Sequence, residues 1–162
     1  MKQTTLCFLL NDNGEVLLAM KKRGFGAGKW NGVGGKVQEG EEIAAAAIRE
    51  IKEEIGVAVS PDALESAGAL EFNYSDNHDW DQVCNLFTVR RWKGDPAESE
   101  EMRPQWYPKN EVPFDAMWID DPHWLPFVLA GKKIKGKFLF EDKGGALINF
   151  AVSEVRLGAE TK

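Results

Sequence analysis

The segment from Gly35 to Val57 constrains the fold of this 162-residue chain more than any other feature. It reads GKVQEGEEIAAAAIREIKEEIGV, which predicts a glycine-rich turn followed by a short helix. Apolar residues recur with helical spacing along it, and Gly56 can adopt the left-handed conformation that ends a helix. The predicted apolar face consists of Ala44, Ala47, Ile48, Ile51 and Ile55. We therefore expect an amphipathic helix that packs on a core and stops at Gly56.

Three carboxylates, Glu50, Glu53 and Glu54, lie on one side of this helix. Side chains three and four positions apart are neighbours, so Glu50 is repelled by both of the others. A hard cation such as Mg²⁺ offsets that repulsion, because it prefers carboxylate oxygens and is often shared with substrate phosphates. The cluster favours a metal-dependent phosphate enzyme over an acidic surface helix with salt bridges. Arg49 is expected to orient a carboxylate rather than to bind the metal.

Composition predicts one compact domain over residues 1–162, since 43% of the residues are hydrophobic and the chain is long enough to bury a core. The formal charge of −6 argues against a nucleic-acid polymer as partner. Cys7 and Cys84 have no metal-ligand spacing and are expected to be free buried thiols in a reducing compartment. The apolar run Leu6–Leu10 is too short for a signal peptide or a membrane span. We expect a cytoplasmic monomer with a small-molecule partner and no membrane association.

Strand signals surround the helix. Apolar runs at Thr4–Leu10 and Val16–Met20 flank the turn residues 11–14 and predict a hairpin. Further strands are predicted at Ser66–Tyr74, Gln82–Trp92 and Met102–Pro108, with Gly94-Asp95-Pro96 turning the chain between the last two. A second hairpin is predicted from Lys137–Glu141 and Ala146–Val155 around residues 143–145. A helix is predicted from Pro122 to about Ala130, because aspartate caps helices and proline is tolerated at their first position.

The spacing of the central segment matches the pattern G-x5-E-x7-R-E-U-x-E-E-x-G-U, where U is bulky and aliphatic. The matching residues are Gly35, Glu41, Arg49, Glu50, Ile51, Glu53, Glu54, Gly56 and Val57. This segment resembles the signature box of the Nudix hydrolase family without a mismatch. The resemblance implies an α/β fold of the Nudix type, an α/β/α sandwich with a mixed β-sheet and one loop-helix catalytic motif.

The resemblance extends to residues 20–32, 100–104 and 117–121, which look like the MutT-homologue branch that hydrolyses oxidised purine nucleoside triphosphates. That branch implies hydrolysis of 8-oxo-dGTP and 2-hydroxy-dATP to the monophosphate and pyrophosphate, which sanitises the nucleotide pool. Carried over by position, the implied metal ligands are the Gly34 carbonyl, Glu50, Glu53, Glu54 and Glu101. The implied base-site residues are Thr5, Lys21, Phe25, Asn31, Phe72, Trp118, Asp120 and Asp121.

Several of these residues suit a purine chemically. Trp118, with Phe25 or Phe72, can cover the base with aromatic surface, although a lone aromatic can equally be part of the core. Asn31 can donate and accept through one amide, or it can simply be a turn residue. Gly34 and Gly35 let the backbone approach a ligand closely. Lys21 and Lys36 are candidates for contacts with phosphate or the base region, with a solvated surface role as the alternative.

Asp120 and Asp121 are adjacent carboxylates predicted to lie near one base edge. Two such groups cannot both ionise cheaply, so we expect them to share a proton and titrate as a pair. The pair then offers one donor and one acceptor, and moving the proton would suit either an oxidised guanine or an oxidised adenine. The alternative is that Asp121 only caps a helix and Asp120 is solvated.

The expected reaction is a metal-assisted substitution at phosphorus. Mg²⁺, or alternatively Mn²⁺, neutralises phosphate oxygens and lowers the pKa of a bound water. Glu53 or Glu50 removes the proton of that water, and Glu54 serves mainly as a ligand. The family resemblance implies attack at the β-phosphorus.

Other motifs are weaker. The run Gly24–Trp30 lacks the spacing of a P-loop, and His78 and His123 have no cysteine partners for a zinc site. The stretch Ser75–Trp80 has no assigned role, although it could reshape the mouth of the base site. Two other functions stay open: a Nudix hydrolase of a dinucleoside polyphosphate or sugar nucleotide, and a catalytically silent nucleotide sensor.

Overall fold

The computed structural model of this protein describes residues 1–155. Within that range it has eight strands: β1 (Lys2–Leu9), β2 (Glu15–Lys21), β3 (Trp30–Asn31), β4 (Leu64–Tyr74), β5 (Gln82–Val89), β6 (Met102–Pro108), β7 (Ile134–Glu141) and β8 (Ala146–Glu154). The two α-helices are α1 (Ile43–Ile55) and α2 (Leu125–Leu129). Short 3₁₀ turns lie at Pro61–Ala63, His78–Trp80, Phe114–Ala116, Asp121–His123 and Asp142–Gly144. None of the helices in the described part is long and apolar enough to cross a membrane.

The strands form two sheets. The larger is mixed, with strand order β1-β5-β4-β7-β8, and the smaller is antiparallel, with strand order β3-β2-β6. In the larger sheet β1 runs parallel to β5 and β4 parallel to β7, whereas β4 and β5, and β7 and β8, are antiparallel. The predicted mixed sheet is therefore confirmed.

Strand β1 is buried on both faces, because successive side chains of a strand point to opposite sides. Cys7 and Leu9 pack in the apolar cluster that contains Ile51 of α1. Phe8 belongs to the other cluster, which contains Leu125 of α2. The two helices therefore cover opposite faces of the sheet layer, and the predicted α/β/α sandwich is confirmed.

Helix α1 forms where the sequence predicts it. Its buried apolar residues are Ala46, Ala47, Ile51 and Ile55, while the predicted face residues Ala44 and Ile48 are only half-buried. Gly56 has φ 78° and its N–H donates to the Lys52 carbonyl, which ends the helix as expected. Burying an isoleucine side chain contributes about 1.5–3 kcal/mol, so Ile51 and Ile55 fix which side of the helix faces the sheet.

The predicted hairpin of Thr4–Leu10 with Val16–Met20 is wrong. The chain does turn there, and the Asn11 N–H donates to the Glu15 carbonyl at 3.1 Å. Beyond the single bridge between Leu10 and Val16, however, β1 joins the larger sheet and β2 the smaller one. Both strands are apolar on both faces. Each therefore buries both faces by lying between two packed layers, which an exposed hairpin would not allow.

The helix predicted from Pro122 to Ala130 is shorter and broken. A 3₁₀ turn at Asp121–His123 is followed by Trp124, with φ −137° and ψ −35°, and only then by α2. Pro126 has no N–H with which to continue a helical ladder back across Trp124, and it is tolerated where it lies because this is the first turn of α2. The break turns the fully buried Trp124 into the core.

The remaining strand predictions hold with small changes of boundary. The strands predicted at Ser66–Tyr74 and Met102–Pro108 correspond to β4 and β6, and the strand predicted at Gln82–Trp92 ends at Val89. The second predicted hairpin is confirmed as the antiparallel pair β7 and β8, which turns at Asp142–Gly144.

Candidate active site

The loop before α1 brings backbone against the helix carboxylates. The Gly34 N–H donates to Glu54 Oε1 at 2.8 Å. A Cβ at Gly34 would lie 2.0 Å from the Thr5 carbonyl oxygen, and one at Gly35 would lie 2.6 Å from the Glu50 carboxyl carbon. Glycine is therefore required at Gly34 by the approach of backbone, whereas a Cβ at Gly35 would displace the Glu50 carboxylate.

Arg49 organises the exposed side of this segment. Its guanidinium forms a bidentate pair with Glu41, with Nε–Oε2 2.8 Å and Nη2–Oε1 3.0 Å. Nη1 also donates to Glu50 at 3.0 Å and to Glu53 at 3.2 Å, and Nη2 donates to the Lys36 carbonyl. Hydrogen bonding to Arg49 lowers the pKa of Glu41 to about 2. The geometry fits the predicted role of Arg49 as a residue that orients carboxylates.

An acidic cavity of about 290 Å³ lies beside α1. Its lining contains all four predicted carboxylate ligands together with one basic side chain, and consists of Arg23, Glu50, Glu53, Glu54, Ser99, Glu100 and Glu101. Burial, with smaller contributions from the charges of Glu50 and Glu101, raises the pKa of Glu54 to about 8. Burial also raises the pKa of Glu50. A cation in this cavity would relieve the cost of both buried charges.

The chemistry of this cavity fits a divalent metal ion, but the side chains are not gathered around one point. Within residues 1–155, no three His, Cys, Asp or Glu side chains are close enough together to hold one ion. Arg49 Nη1 holds both Glu50 and Glu53, and Arg23 lies 3.9 Å from Glu101. Each of these carboxylates gives one oxygen to an arginine, so metal binding would use the other oxygen and would draw the side chains closer together.

A second, larger cavity of about 610 Å³ lies on the other side of the Gly34–Gly35 segment. Every residue predicted to bind substrate lines it: Thr5, Lys21, Phe25, Asn31, Gly34, Gly35, Lys36, Phe72, Trp118, Asp120 and Asp121. The sequence segments that carry them are far apart, and the fold brings all of them to one cavity. Because Gly34 and Gly35 line this cavity and also contact Glu54 and Glu50, a ligand that fills it can extend toward the acidic cavity.

Aromatic side chains form much of the wall of the larger cavity. Trp118 and Phe25 are tilted ring neighbours with centroids 5.2 Å apart. Phe72 instead packs on Phe138 and Phe140, at 5.8 and 5.7 Å. Phe25 is therefore the aromatic partner of Trp118, and Phe72 belongs to a different part of the wall.

The carboxyl groups of Asp120 and Asp121 are buried, at 5% and 2% exposure. Trp124 Nε1 donates to Asp120 Oδ2 at 2.8 Å, and the Trp118 N–H donates to Asp121 Oδ2 at 3.1 Å. The two acidic residues are adjacent in the chain. Burial raises the pKa of both, and the charge of Asp120 raises that of Asp121 further. Asp120 is thus not solvated, and two neighbouring buried carboxyl groups cannot both ionise cheaply.

The polar residues near the mouth have local partners. Asn31 Oδ1 accepts from the Gly32 N–H at 2.9 Å, which leaves its NH₂ group for other contacts. The buried Thr5 hydroxyl lies 3.3 Å from the Gly35 nitrogen, so it braces the glycine segment. The positive charge of Lys21 acts on Glu54. Lys36 is exposed, and its side chain lines the cavity.

Sequence reasoning missed several residues of the larger cavity. Trp124 gave no sequence signal, because its contact with Asp120 depends on the break between the 3₁₀ turn and α2. Lys29 lies with Nζ 5.1 Å from the Trp118 ring centroid. Trp80 and Tyr74 also line the cavity. Trp80 is visible in the sequence as a large aromatic residue in the polar run Ser75–Trp80, but the sequence did not assign it a role.

Comparison with known proteins agrees with this geometry. Residues 2–128 match the model of the NUDIX domain. The chain is 46% identical over 141 residues to the oxidized purine nucleoside triphosphate hydrolase of Mus musculus, covering 87% of this chain and 88% of that protein. It is 49% identical over 128 residues to the protein of the same name from Danio rerio, covering 79% and 80%.

Among solved structures, a mutator MutT protein from Bacillus halodurans superposes with a TM-score of 0.81 at 24% identity, covering 94% of this chain and 98% of that chain. At 24% identity this similarity shows the fold alone. The two proteins share that fold along almost their whole length. The matched domain, the loop-helix segment with its carboxylates and this shared architecture show that the chain belongs to the Nudix family.

Proposed function

We propose that this protein hydrolyses oxidised purine nucleoside triphosphates, such as 8-oxo-dGTP and 2-hydroxy-dATP, to the monophosphate and pyrophosphate. The observation that carries the proposal is the buried pair Asp120 and Asp121 in an aromatic-walled cavity next to the carboxylates of α1. Relatives that share 46% and 49% of their residues with this chain are named as hydrolases of oxidized purine nucleoside triphosphates.

The acid pair supplies base recognition in this proposal. With one proton between them, Asp120 and Asp121 present one donor and one acceptor to the pairing edge of a base. Moving the proton from one carboxyl to the other exchanges the two positions. An oxidised guanine and an oxidised adenine, whose edges differ in the order of donor and acceptor, are then both accommodated. The Asn31 amide adds a further donor, and Trp118 with Phe25 covers a face of the base.

The acidic cavity supplies the phosphate chemistry. Bound Mg²⁺, with Mn²⁺ as the alternative, would be held by Glu50, Glu53, Glu54, Glu101 and the Gly34 carbonyl, would neutralise phosphate oxygens and would lower the pKa of a bound water. Glu53 or Glu50 takes the proton of the attacking water. Arg49, which contacts both, positions that base. Lys21 and Lys36 line the larger cavity and are proposed to contact the phosphates of the ligand.

The proposal also covers domain organisation, oligomeric state and cellular compartment. We propose that residues 1–162 act as a single catalytic domain and as a monomer, with the nucleotide as partner. Cys7 and Cys84 are free and buried, which supports a reducing compartment such as the cytoplasm.

The test is pyrophosphate release with Mg²⁺ from a panel of 8-oxo-dGTP, 2-hydroxy-dATP, dGTP, dATP, a diadenosine polyphosphate and an ADP-sugar, compared by kcat/KM. We expect a strong preference for the two oxidised purines and loss of turnover when EDTA is added. Preference for the dinucleotide or the sugar nucleotide would overturn the base-site assignment and keep the metal site. No turnover of any member would overturn the enzymatic proposal in favour of a nucleotide sensor.

A further inference from the structure

Trp80 lies at the end of the polar stretch Ser75–Trp80 and packs at the mouth of the larger cavity. Its ring centroid is 5.6 Å from that of Phe25 and 5.6 Å from that of Tyr74. The contact with Phe25 joins two loops that are distant in sequence: the loop between β4 and β5, and the loop over residues 22–29 between β2 and β3. We call the second one the glycine loop.

The loop that carries Trp80 is tied down by hydrogen bonds. Asn77 Oδ1 accepts from the Asp79 N–H at 3.1 Å, and the Trp80 N–H donates to the Asn77 carbonyl at 3.1 Å. Asp81 Oδ1 accepts from the Tyr74 N–H at 2.7 Å. Asp76 Oδ2 also accepts from a backbone N–H of the turn between β7 and β8, at 3.2 Å. Trp80 is therefore held in a fixed position relative to the larger sheet.

The glycine loop is hydrogen-bonded at its base, where the Gly28 N–H donates to the Lys21 carbonyl at 2.8 Å, and Phe25 lies at its tip. Gly24, Gly26 and Gly28 all have positive φ, at 83°, 86° and 87°. Phe25 is 59% exposed, and its aromatic neighbours among the described residues are Trp118 and Trp80. The backbone hydrogen bonds hold the base of the loop, whereas the ring contacts hold the Phe25 side chain at its tip and so bias the tip toward the closed position.

The ring contacts also run around the cavity mouth. Trp118 contacts Phe25, Phe25 contacts Trp80, and Trp80 contacts Tyr74. Gly144 lies between the two ends of this series of rings, since a Cβ there would be 3.3 Å from the Trp118 ring and 3.6 Å from the Tyr74 ring. Removing the Trp80 ring would break this wall at the point where the two loops meet.

We infer that Trp80 is a positioning residue that holds the glycine loop closed over the larger cavity through its contact with Phe25. The kinetic part of this inference rests on the proposed function, because it takes the base to be the group that Phe25 covers. Aromatic pairs of this kind correspond to roughly a two- to tenfold change in an equilibrium constant. The affinity for a purine nucleotide therefore depends on Trp80 through the position of the Phe25 ring.

The first measurement needs no substrate. Limited trypsin digestion of the native protein reports opening of the glycine loop, which carries cleavage sites after Lys22, Arg23 and Lys29. Trp80→Ala is expected to be cleaved in this loop roughly two to ten times faster than the wild type. Trp80→Phe, which keeps a ring, is expected to stay near the wild-type rate.

The second measurement is kinetic. With 8-oxo-dGTP, Trp80→Ala is expected to raise KM roughly two- to tenfold and to leave kcat nearly unchanged, because the phosphate chemistry lies in the other cavity. In a Phe25→Ala background the same substitution should add little, since the contact through which it acts is gone. Binding of 8-oxo-dGMP by calorimetry should weaken in parallel with the rise in KM.

Trp92→Ala is the matched control. Trp92 is also half-buried and stacks on another tryptophan, Trp106, at 5.8 Å, but it does not line the cavity. It should change neither the cleavage rate in the glycine loop nor KM. If Trp80→Ala does not fold by circular dichroism, Trp80→Leu replaces it in every arm.

The outcomes are separable. Unchanged cleavage and KM in the folded Trp80→Ala or Trp80→Leu protein, or a Trp80→Phe protein that behaves like the alanine variant, would overturn the inference and leave the proposed function intact. If the wild type fails to hydrolyse oxidised purines, the proposed function and the kinetic arm fail together. The cleavage rates then still decide whether Trp80 holds the glycine loop.

Discussion

The two cavities of the site are built in different ways. The acidic cavity draws three of its carboxylates from one turn and a half of α1, together with Glu101 from a distant loop. The larger cavity draws its lining from β1, the glycine loop, β4 and the loop after it, β5, the segment before α2, β7 and the turn after β7. The three helix carboxylates of the first cavity are local in sequence, whereas the lining of the second is assembled only with the whole sheet.

The carboxylates of the two cavities also differ in their hydrogen-bond partners. Glu50 and Glu53 share one guanidinium with Glu41, and Glu54 is buried with a raised pKa and a single backbone donor. The acid pair in the larger cavity instead has its own donors, an indole N–H and a backbone N–H. The first set is the one proposed to bind an added cation, whereas each carboxyl of the second set has a protein donor. Changes in the first region should therefore alter turnover of every substrate, and changes in the second should alter which base is bound.

The largest effect is expected from Glu54→Gln. The amide keeps the size of the side chain and can still accept from the Gly34 N–H, but it removes a charged metal ligand. We expect kcat to fall by on the order of 10² to 10³ for all purine triphosphates, with the ratio of kcat/KM between bases unchanged. Steady-state pyrophosphate release across Mg²⁺ concentrations measures both quantities.

The matched control for that variant is Glu65→Gln, at an exposed position on β4 that does not line the acidic cavity. It should behave as wild type. Near-normal kcat in Glu54→Gln would contradict the metal assignment. A changed preference between bases would contradict the separation of the two cavities.

The second effect in size is expected from Asp120→Asn. Asparagine can still accept from Trp124 Nε1, so the core contact survives, but the pair can no longer move its proton between two carboxyl groups. A site whose buried polar groups are left unpaired rejects a substrate strongly. We expect the kcat/KM ratio between 8-oxo-dGTP and 2-hydroxy-dATP to change about ten- to a hundredfold. A competition assay with both substrates measures this ratio, and equal selectivity in wild type and variant would remove the acid pair from the recognition mechanism.

The same contrast explains what the sequence could predict. The helix, its Gly56 terminus and its carboxylates depend on contacts within about twenty residues, so pattern and spacing suffice to place them. The β1–β2 turn was also visible, but the sheet that each strand joins depends on partners such as β5 and β6, more than sixty residues away along the chain. The hairpin prediction failed for that reason.

Side-chain contacts in the larger cavity were predictable only through resemblance to a family. The resemblance placed Trp118, Asp120 and Asp121, and the structure brings them to one cavity. It did not indicate which aromatic accompanies Trp118, nor that Trp124 holds Asp120. Those contacts follow from a break in the helix before Pro126 and from loop conformations, which residue type and spacing do not specify.

The acid pair also predicts how stability depends on pH. Burial raises the pKa of Asp120 and Asp121 in the folded protein, so the folded state binds their protons more tightly than the unfolded state. The stabilisation is complete below the unfolded pKa, about 3.9, and is lost as pH rises through the folded values. Relative to Asp120→Asn, the unfolding temperature of the wild type should therefore fall as pH rises above about 4. Calorimetry in EDTA measures this, and parallel curves for the two proteins would contradict it.

The smallest effect is expected from Lys29→Gln, which tests whether the larger cavity influences turnover at all. The Lys29 ammonium lies over the Trp118 ring, and its charge also acts on Asp121. An attraction of this kind amounts to about 0.5–1 kcal/mol at an accessible site, so its loss should raise KM for 8-oxo-dGTP about two- to fivefold. Turnover should stay the same, because Lys29 does not line the acidic cavity. Lys29→Arg, which keeps a cation over the ring, is the control, and a fall in kcat for the glutamine variant alone would show that the two cavities are coupled.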